Sequence, residues 1–289
     1  MPELAARRRL RLLWLLPLLL TAGDVWAWGL YTHVHFAQAL LWLVPPLADE
    51  RARAAMRRLP RLVLAGACLP DLALTEIGAS APAFAASHDW ETAARLLAAA
   101  HSDEERALSL GFASHILTDI FAHNHFVPAH EWLWLDAHAV THAACEWAMD
   151  HHVRGALYAR PGELLASEAA ALTDYVGQSF GCGRSRAADA IATLGKADRL
   201  LRGSGLPALA WHAGRLGDRR MERRFGHYLS HTARHLRQMD RLLAGERPRW
   251  VANPCRHAAR AALAEVSPRL LRLRLPLPAD VFAEAPLAA

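Results

Sequence analysis

A chain of 289 residues, 53% hydrophobic and 21% charged, is long enough to bury a substantial core in one large domain or two small ones. The formal net charge of +5 is too weak to argue for a long nucleic acid or an anionic membrane as partner, and removal of residues 1–27 would leave +3. Almost all the positive charge is arginine, and histidine is the other peculiarity: 17 in all, twelve of them between His33 and His152.

The N-terminus reads as a signal peptide over residues 1–27. "ARRRLR" supplies the positive region, "LLWLLPLLL" a short apolar one, and Val25 and Ala27 are the small residues expected three and one positions before a cut after Ala27. The apolar run is short for a spanning helix and contains Pro17; an uncleaved anchor is the alternative. The expectation is an exported chain, periplasmic or secreted. Four cysteines (Cys68, Cys145, Cys182, Cys255) then allow two disulfides in three connectivities. Cys182 and Cys255 sit in Gly- or Pro-containing loops where they can pair, and free buried thiols are equally compatible.

Leu, Ala and Arg dominate and β-branched runs are scarce, so the chain predicts an all-α fold, a single multi-helix domain over residues 28–289. Thr32 is expected to cap a helix carrying "HVHFAQALLWLV" that stops near Pro45. "DERARAAMRRL" predicts an amphipathic helix ending before Pro60. "LAGACLPDLAL" sets Asp71 after Pro70 at a helix end or turn, a common place for a capping aspartate. "FAASHDWE" puts His88 just ahead of another amphipathic helix. Ser102 and Glu105 form a capping box before "RALSLGFASHILTDIFA". "DAHAVTHAACEWAMDHHV" predicts a helix ended by Gly155, followed by helices in "GELLASEAAALTDYV", "SRAADAIATLGKADRLL" and "RRFGHYLSHTARHLRQMDRLL". The tail "LRLRLPLP" alternates like a strand, but its prolines limit it to an extended edge. Neither an internal repeat nor a linker interrupts the chain.

The strongest chemistry lies in "GFASHILTDIFAHNHFVPAHEW" and "THAACEW". His115 and Asp119 are four residues apart, so they share one helix face, and His142 and Glu146 repeat that spacing on a second helix. Imidazole nitrogen and carboxylate oxygen are zinc ligands, and two such pairs about 25 residues apart point to metal rather than to two solvated pairs. His123 continues the first face if that helix persists. His125 suits a helix that has ended before Pro128.

In order along the chain, Trp28, His33, Asp71, His88, the His115–Asp119 pair, a histidine and the His142–Glu146 pair resemble the zinc-dependent phospholipase C family, which is related to the fungal single-strand-specific zinc nucleases. The resemblance covers most of Trp28 to Glu146 and implies an all-helical domain with a trinuclear site holding up to three Zn2+. It assigns Asp71, His88, His115 and Asp119 to one ion, and Trp28, His33 and a bridging Asp119 to a second. The third falls to His125, His142 and Glu146, with His123 as the alternate to His125. Trp28 would ligate through the α-amino group freed by cleavage after Ala27. His35, His130, His138, His151 and His152 are left over as candidate partners of the ligands. A final Glu rather than Asp favours the phospholipases, whereas Trp28-Gly29 and the spacing to His33 are closer to the nucleases.

The implied function is a secreted zinc phosphodiesterase, a metallohydrolase that cleaves phospholipids with zinc-activated water and has Asp71 as candidate general base. A single-strand or 3′-nucleotide nuclease and a non-catalytic metal-binding helical protein are the alternatives. The expected partner is a phospholipid or other phosphodiester substrate, with no stable nucleic-acid complex. Trp132 and Trp134 in "EWLWLDAH" suggest transient contact with a membrane surface, or else core packing. "FGHYLSHTARHL" aligns His227, His231 and His235 on one face. It matches no ligand set of the family, and reads as packing or surface histidines against an additional metal site.

Overall fold

The computed structural model describes residues 29–43, 46–134 and 137–252, with isolated positions between 254 and 282. The expected signal peptide, Trp28, Cys255 and most of the alternating tail lie outside the described residues, as does the side chain of His138. What is described is helical, with no strand among the described residues, and none of these helices is long and apolar enough to cross a membrane.

In chain order the elements are α1 (Leu30–Trp42), α2 (Glu50–Arg58), α3 (Pro60–Gly66), a 3-10 turn at Pro70–Glu76, α4 (Trp90–Ala99) and α5 (Asp103–Phe121). A π turn at Ala122–Phe126 runs into α6 (Val127–Leu133), followed by α7 (His138–Val153), α8 (Pro161–Ser167), α9 (Ala169–Ser179) and α10 (Arg184–Ser204). The series closes with α11 (Leu206–Gly217), α12 (Met221–His235) and α13 (Met239–Leu243).

The hub is α5. Every residue from Ala107 to Phe121 is buried, the mark of a helix with no solvent face, and α1 to α4 pack around it. Its start is fixed by the expected capping box: Glu105 N–H donates to Ser102 Oγ at 3.1 Å and Ser102 N–H to Glu105 Oε2 at 3.0 Å. Such a box satisfies two amides that would otherwise be orphaned.

Where α3 crosses α5 the backbones touch. A Cβ on Gly111 would overlap the carbonyl oxygen of Val63, and one on Gly66 would overlap that of Leu108. The second layer is α7, which packs on α1, α6 and α11.

Several boundaries differ from the sequence expectation. Thr32 lies inside the first turn of α1, which starts at Leu30 with Gly29 before it. "GELLASEAAALTDYV" is two short helices broken at Glu168, and the last long helix stops at His235 and resumes at Met239 after a 3-10 turn. Cys68 and Cys145 are buried free thiols and Cys182 is also unpaired among the described residues, while Cys255 lies beyond them.

The crossing of α3 and α5 leaves no room for a methyl group. Gly111→Ala is expected to cost about 3 kcal/mol through overpacking and to lower the melting temperature by roughly 6–12 °C for a domain of this size. Thermal unfolding followed by circular dichroism checks this, and an unchanged midpoint would contradict the close contact.

Candidate metal centre

The 3-10 turn Pro70–Glu76, the loop before α4, α5 and α1 bring side chains into one buried cluster made of two trios that share His115: His33–His115–Asp119 and Asp71–His88–His115. From α5, His115 and Asp119 come one turn apart, with His115 Nε2 3.2 Å from Asp119 Oδ2. Asp71 reaches in from the turn, its Oδ1 3.9 Å from His115 Nε2. His88 closes a third side, its Nε2 3.6 Å from Asp71 Oδ1 and 3.7 Å from Asp119 Oδ2. On α1, His33 stacks on the His115 ring at 3.4 Å and places Nε2 3.5 Å from Asp119 Oδ1.

The facing atoms Asp71 Oδ1, His88 Nε2, His115 Nε2 and both oxygens of Asp119 are buried and accept or donate no hydrogen bond among the described residues. Burying such groups unpaired costs several kcal/mol each, so they call for a cation. The far nitrogens, by contrast, are engaged. His115 Nδ1–H donates to the Ala67 carbonyl at 2.8 Å. His88 Nδ1 lies 3.3 Å from Ser87 Oγ, whose own proton goes to the Pro70 carbonyl at 2.6 Å. Thr118 donates to the His115 carbonyl and leaves its oxygen 3.5 Å from His33 Nδ1. These contacts put the proton on Nδ1 of His115 and of His88, and so leave each Nε2 with a lone pair facing the carboxylates, as a metal-binding imidazole requires.

A second group forms between the π turn and α7, where one donor atom each from His123, His142 and Glu146 lies within 4.8 Å of the others. His142 Nε2 and Glu146 Oε1 are 2.7 Å apart and share a proton. Burial raises the Glu146 carboxyl well above the usual range, and Asp71, Asp150 and Asp119 add to it. In His115 burial acts downward, but Asp119 and Asp71 outweigh it and the basicity rises. Both shifts describe surplus negative charge in a dry interior. Histidine and carboxylate donors in this number fit zinc, and either group would hold it.

The geometry separates the two candidates for the third assigned histidine. The helix does not end before Pro128: one extra residue turns Ala122–Phe126 into a π turn, and Val127 N–H bonds back to the Ala122 carbonyl. The chain thereby enters α6 past a proline that has no amide to give. That turn carries His123 to His142, their rings 5.3 Å apart, and sends His125 away to the indole of Trp250 at 5.2 Å.

Asp150, on the same α7 face one turn beyond Glu146, went unnoticed in the sequence although it continues the spacing His142–Glu146. Its carboxylate accepts from Thr32 N–H at 2.9 Å and Thr32 Oγ1–H at 2.7 Å, and pairs with Arg202. It fills the space where Gly29 would otherwise carry a side chain. A residue of α7 thus caps α1 from outside and fixes the turn that bears His33. Among the described residues, the remaining histidines make other contacts. His130 Nδ1–H donates to the Phe126 carbonyl and its Nε2 faces Arg224, while His151 and His152 pack on Trp211 of α11. His35 is pushed down to about 4 by burial and by His152. Trp132 is about half exposed and Trp134 packs against the core.

Fold and site together define an all-helical protein with buried histidine–carboxylate groups suited to zinc. Residues 32–175 match the family model described as zinc dependent phospholipase C, and over that stretch, which contains all eight grouped side chains, the chain belongs to that family. No curated protein and no solved structure matches the chain.

The π turn yields a direct comparison of two variants. His123→Ala is expected to lose the ion held with His142 and Glu146, whereas His125→Ala keeps it. Zinc per chain by plasma mass spectrometry reads the difference, and the reverse pattern would restore His125 as the ligand.

Proposed function

We propose that the protein is an exported zinc-dependent phosphodiesterase of the phospholipase C type, acting on phospholipids. The reading is carried by one observation: in a stretch that matches this family, Asp71, His88, His115 and Asp119 from three separate segments turn carboxylate oxygens and imidazole nitrogens with no hydrogen-bond partner among the described residues into one buried cluster, beside His33 of α1. Asp71, His88, His115, Asp119 and His33 would hold zinc there, and His123, His142 and Glu146 would hold a further ion. Zinc bound at these groups supplies an acidified water and a Lewis acid for phosphate oxygens.

The chain's own residues then have definite roles. Asp119 faces three imidazoles and keeps them converged on one charge. Asp71 Oδ1 accepts no hydrogen bond among the described residues and faces fewer imidazoles than Asp119, so it is the carboxylate to take a proton from the attacking water. Ala67 and Ser87 hold His115 and His88 in the tautomer that keeps each Nε2 aprotic. Glu146 in place of aspartate supports a phospholipid over a nucleic-acid substrate, as does the low net charge, because strand binding rests on many basic contacts. The spacing of Gly29 and His33 supports the nuclease alternative.

Parallel assays decide between them. The mature chain is expected to release diacylglycerol from phosphatidylcholine and to leave single-stranded DNA intact. Asp119→Asn should lower both zinc content and turnover by at least a hundredfold in turnover, on the scale of about 3 kcal/mol for a lost electrostatic contact. Nucleotides from DNA without diacylglycerol would favour the nuclease, and full zinc without either activity would leave a structural metal protein.

The proposed cleavage after Ala27 has its own consequence. The amine of residue 28 must be neutral to ligate, and its ordinary pKa of about 7.7–8.0 allows that near neutral pH. A soluble chain retaining residues 1–27 is expected to bind one zinc fewer and to lose most activity. Full metal content in that chain would remove the N-terminus from the site.

A further inference from the structure

Helix α12 carries histidines at successive turns, and two of them converge. His231 Nε2 and His235 Nε2 lie 3.1 Å apart, and His231 Nε2 also lies 3.5 Å from the Pro278 carbonyl oxygen. Neither histidine belongs to the buried groups described above. The geometry points to a second, separate metal site on α12, in which His231 and His235 grip one divalent transition-metal ion with the Pro278 carbonyl as an oxygen donor beside it.

The separation suits such an ion. Two imidazole nitrogens at about 2.0–2.1 Å from a metal stand roughly 2.9–3.4 Å apart for angles between square and tetrahedral. Four-residue spacing on a helix is what lets two imidazoles meet in this way. Burial and the neighbouring His231 push His235 down to about 4, so it stays neutral at physiological pH. On the inner side His125 is buried, with neither ring nitrogen hydrogen-bonded among the described residues. The aromatic ring of Phe121 covers the pair, 4.8 Å from His235 and 6.3 Å from His231. His231 is only partly buried, which leaves a path for the ion from solvent. With no metal, a single proton between the two Nε2 atoms fills the gap, and a cation would take its place. Imidazole donors with one carbonyl favour copper(II), nickel(II) or zinc over magnesium or calcium.

The test uses the untagged mature protein loaded with zinc and dialysed against a mild chelator, which clears a partly exposed two-histidine site, then titrated with nickel(II) by calorimetry. The wild-type chain is expected to take up one further equivalent, and His231→Ala/His235→Ala to take up none while keeping its original zinc and helical circular dichroism. His231→Gln, a milder change at a partly exposed position, should weaken nickel binding at least tenfold, which keeps the proposal open to refutation should the double variant fold poorly. Wild-type protein that takes no further equivalent, or a folded variant that binds nickel as tightly as wild type, overturns the site. Because the readout is metal uptake rather than turnover, a negative phosphatidylcholine assay leaves this result untouched, and a negative titration leaves the phosphodiesterase reading untouched.

Discussion

The arrangement of this protein turns on the burial of Asp119. A carboxylate near the end of the buried run of α5, with no hydrogen-bond donor on either oxygen among the described residues, is among the costliest groups a core can hold. Around it stand three imidazoles and a second carboxylate, each supplied by a different segment. Imidazoles alone would relieve the charge only if protonated, and burial opposes that. A divalent cation relieves the carboxylates and uses the imidazole lone pairs at once, so the donor set is coherent with an ion between its members and expensive without one.

That requirement reaches outward into the packing. His115 can present Nε2 only because its Nδ1 is held by the Ala67 carbonyl, one residue beyond Gly66. Ala67 comes so close to α5 because Gly66 and Gly111 let the two backbones touch. The glycine pair is therefore part of the site at one remove: it sets the depth at which α3 sits on α5, and hence the orientation of a ring one turn further along. The π turn has a similar standing. A single extra residue between Phe121 and Val127 rotates the following side chains enough to exchange which histidine meets α7, and it does so at the proline where an α-helical ladder lacks a donor.

Local rules in the sequence made much of this legible. The capping box at Ser102 and Glu105, the four-residue pairs His115–Asp119 and His142–Glu146, and the helical character of nearly every segment depend on neighbours in the chain, and they stand where the pattern puts them. What escaped depends on partners far away. The helix at Pro60–Gly66 is short, with Arg61 its only charged residue, so it offers no period to read, and that at Leu206–Gly217 follows directly on α10 with only Gly205 between. Thr32 resembles an N-cap by its type. Its real acceptor is Asp150, distant by 118 positions. His125 suited a helix ended before Pro128, and a π turn is not something single-residue propensities announce.

Helix α7 links these pieces. His142, Glu146 and Asp150 follow one another at single-turn spacing, so one face of one helix serves two duties. Glu146 completes the group with His123, while Asp150 holds the first turn of α1, where the amides at a helix start have no internal partners and carry partial positive charge. The anchor is firm because Asp150 is itself neutralised by Arg202, which Asp198 steadies from α10. A shift of α7 would move Glu146 and the foot of α1 together, and with α1 would go His33. The two buried groups are thus mechanically joined through a helix that contributes donors, His142 and Glu146, to only one of them, and the four-residue step from Glu146 to Asp150 couples that group to the foot of α1.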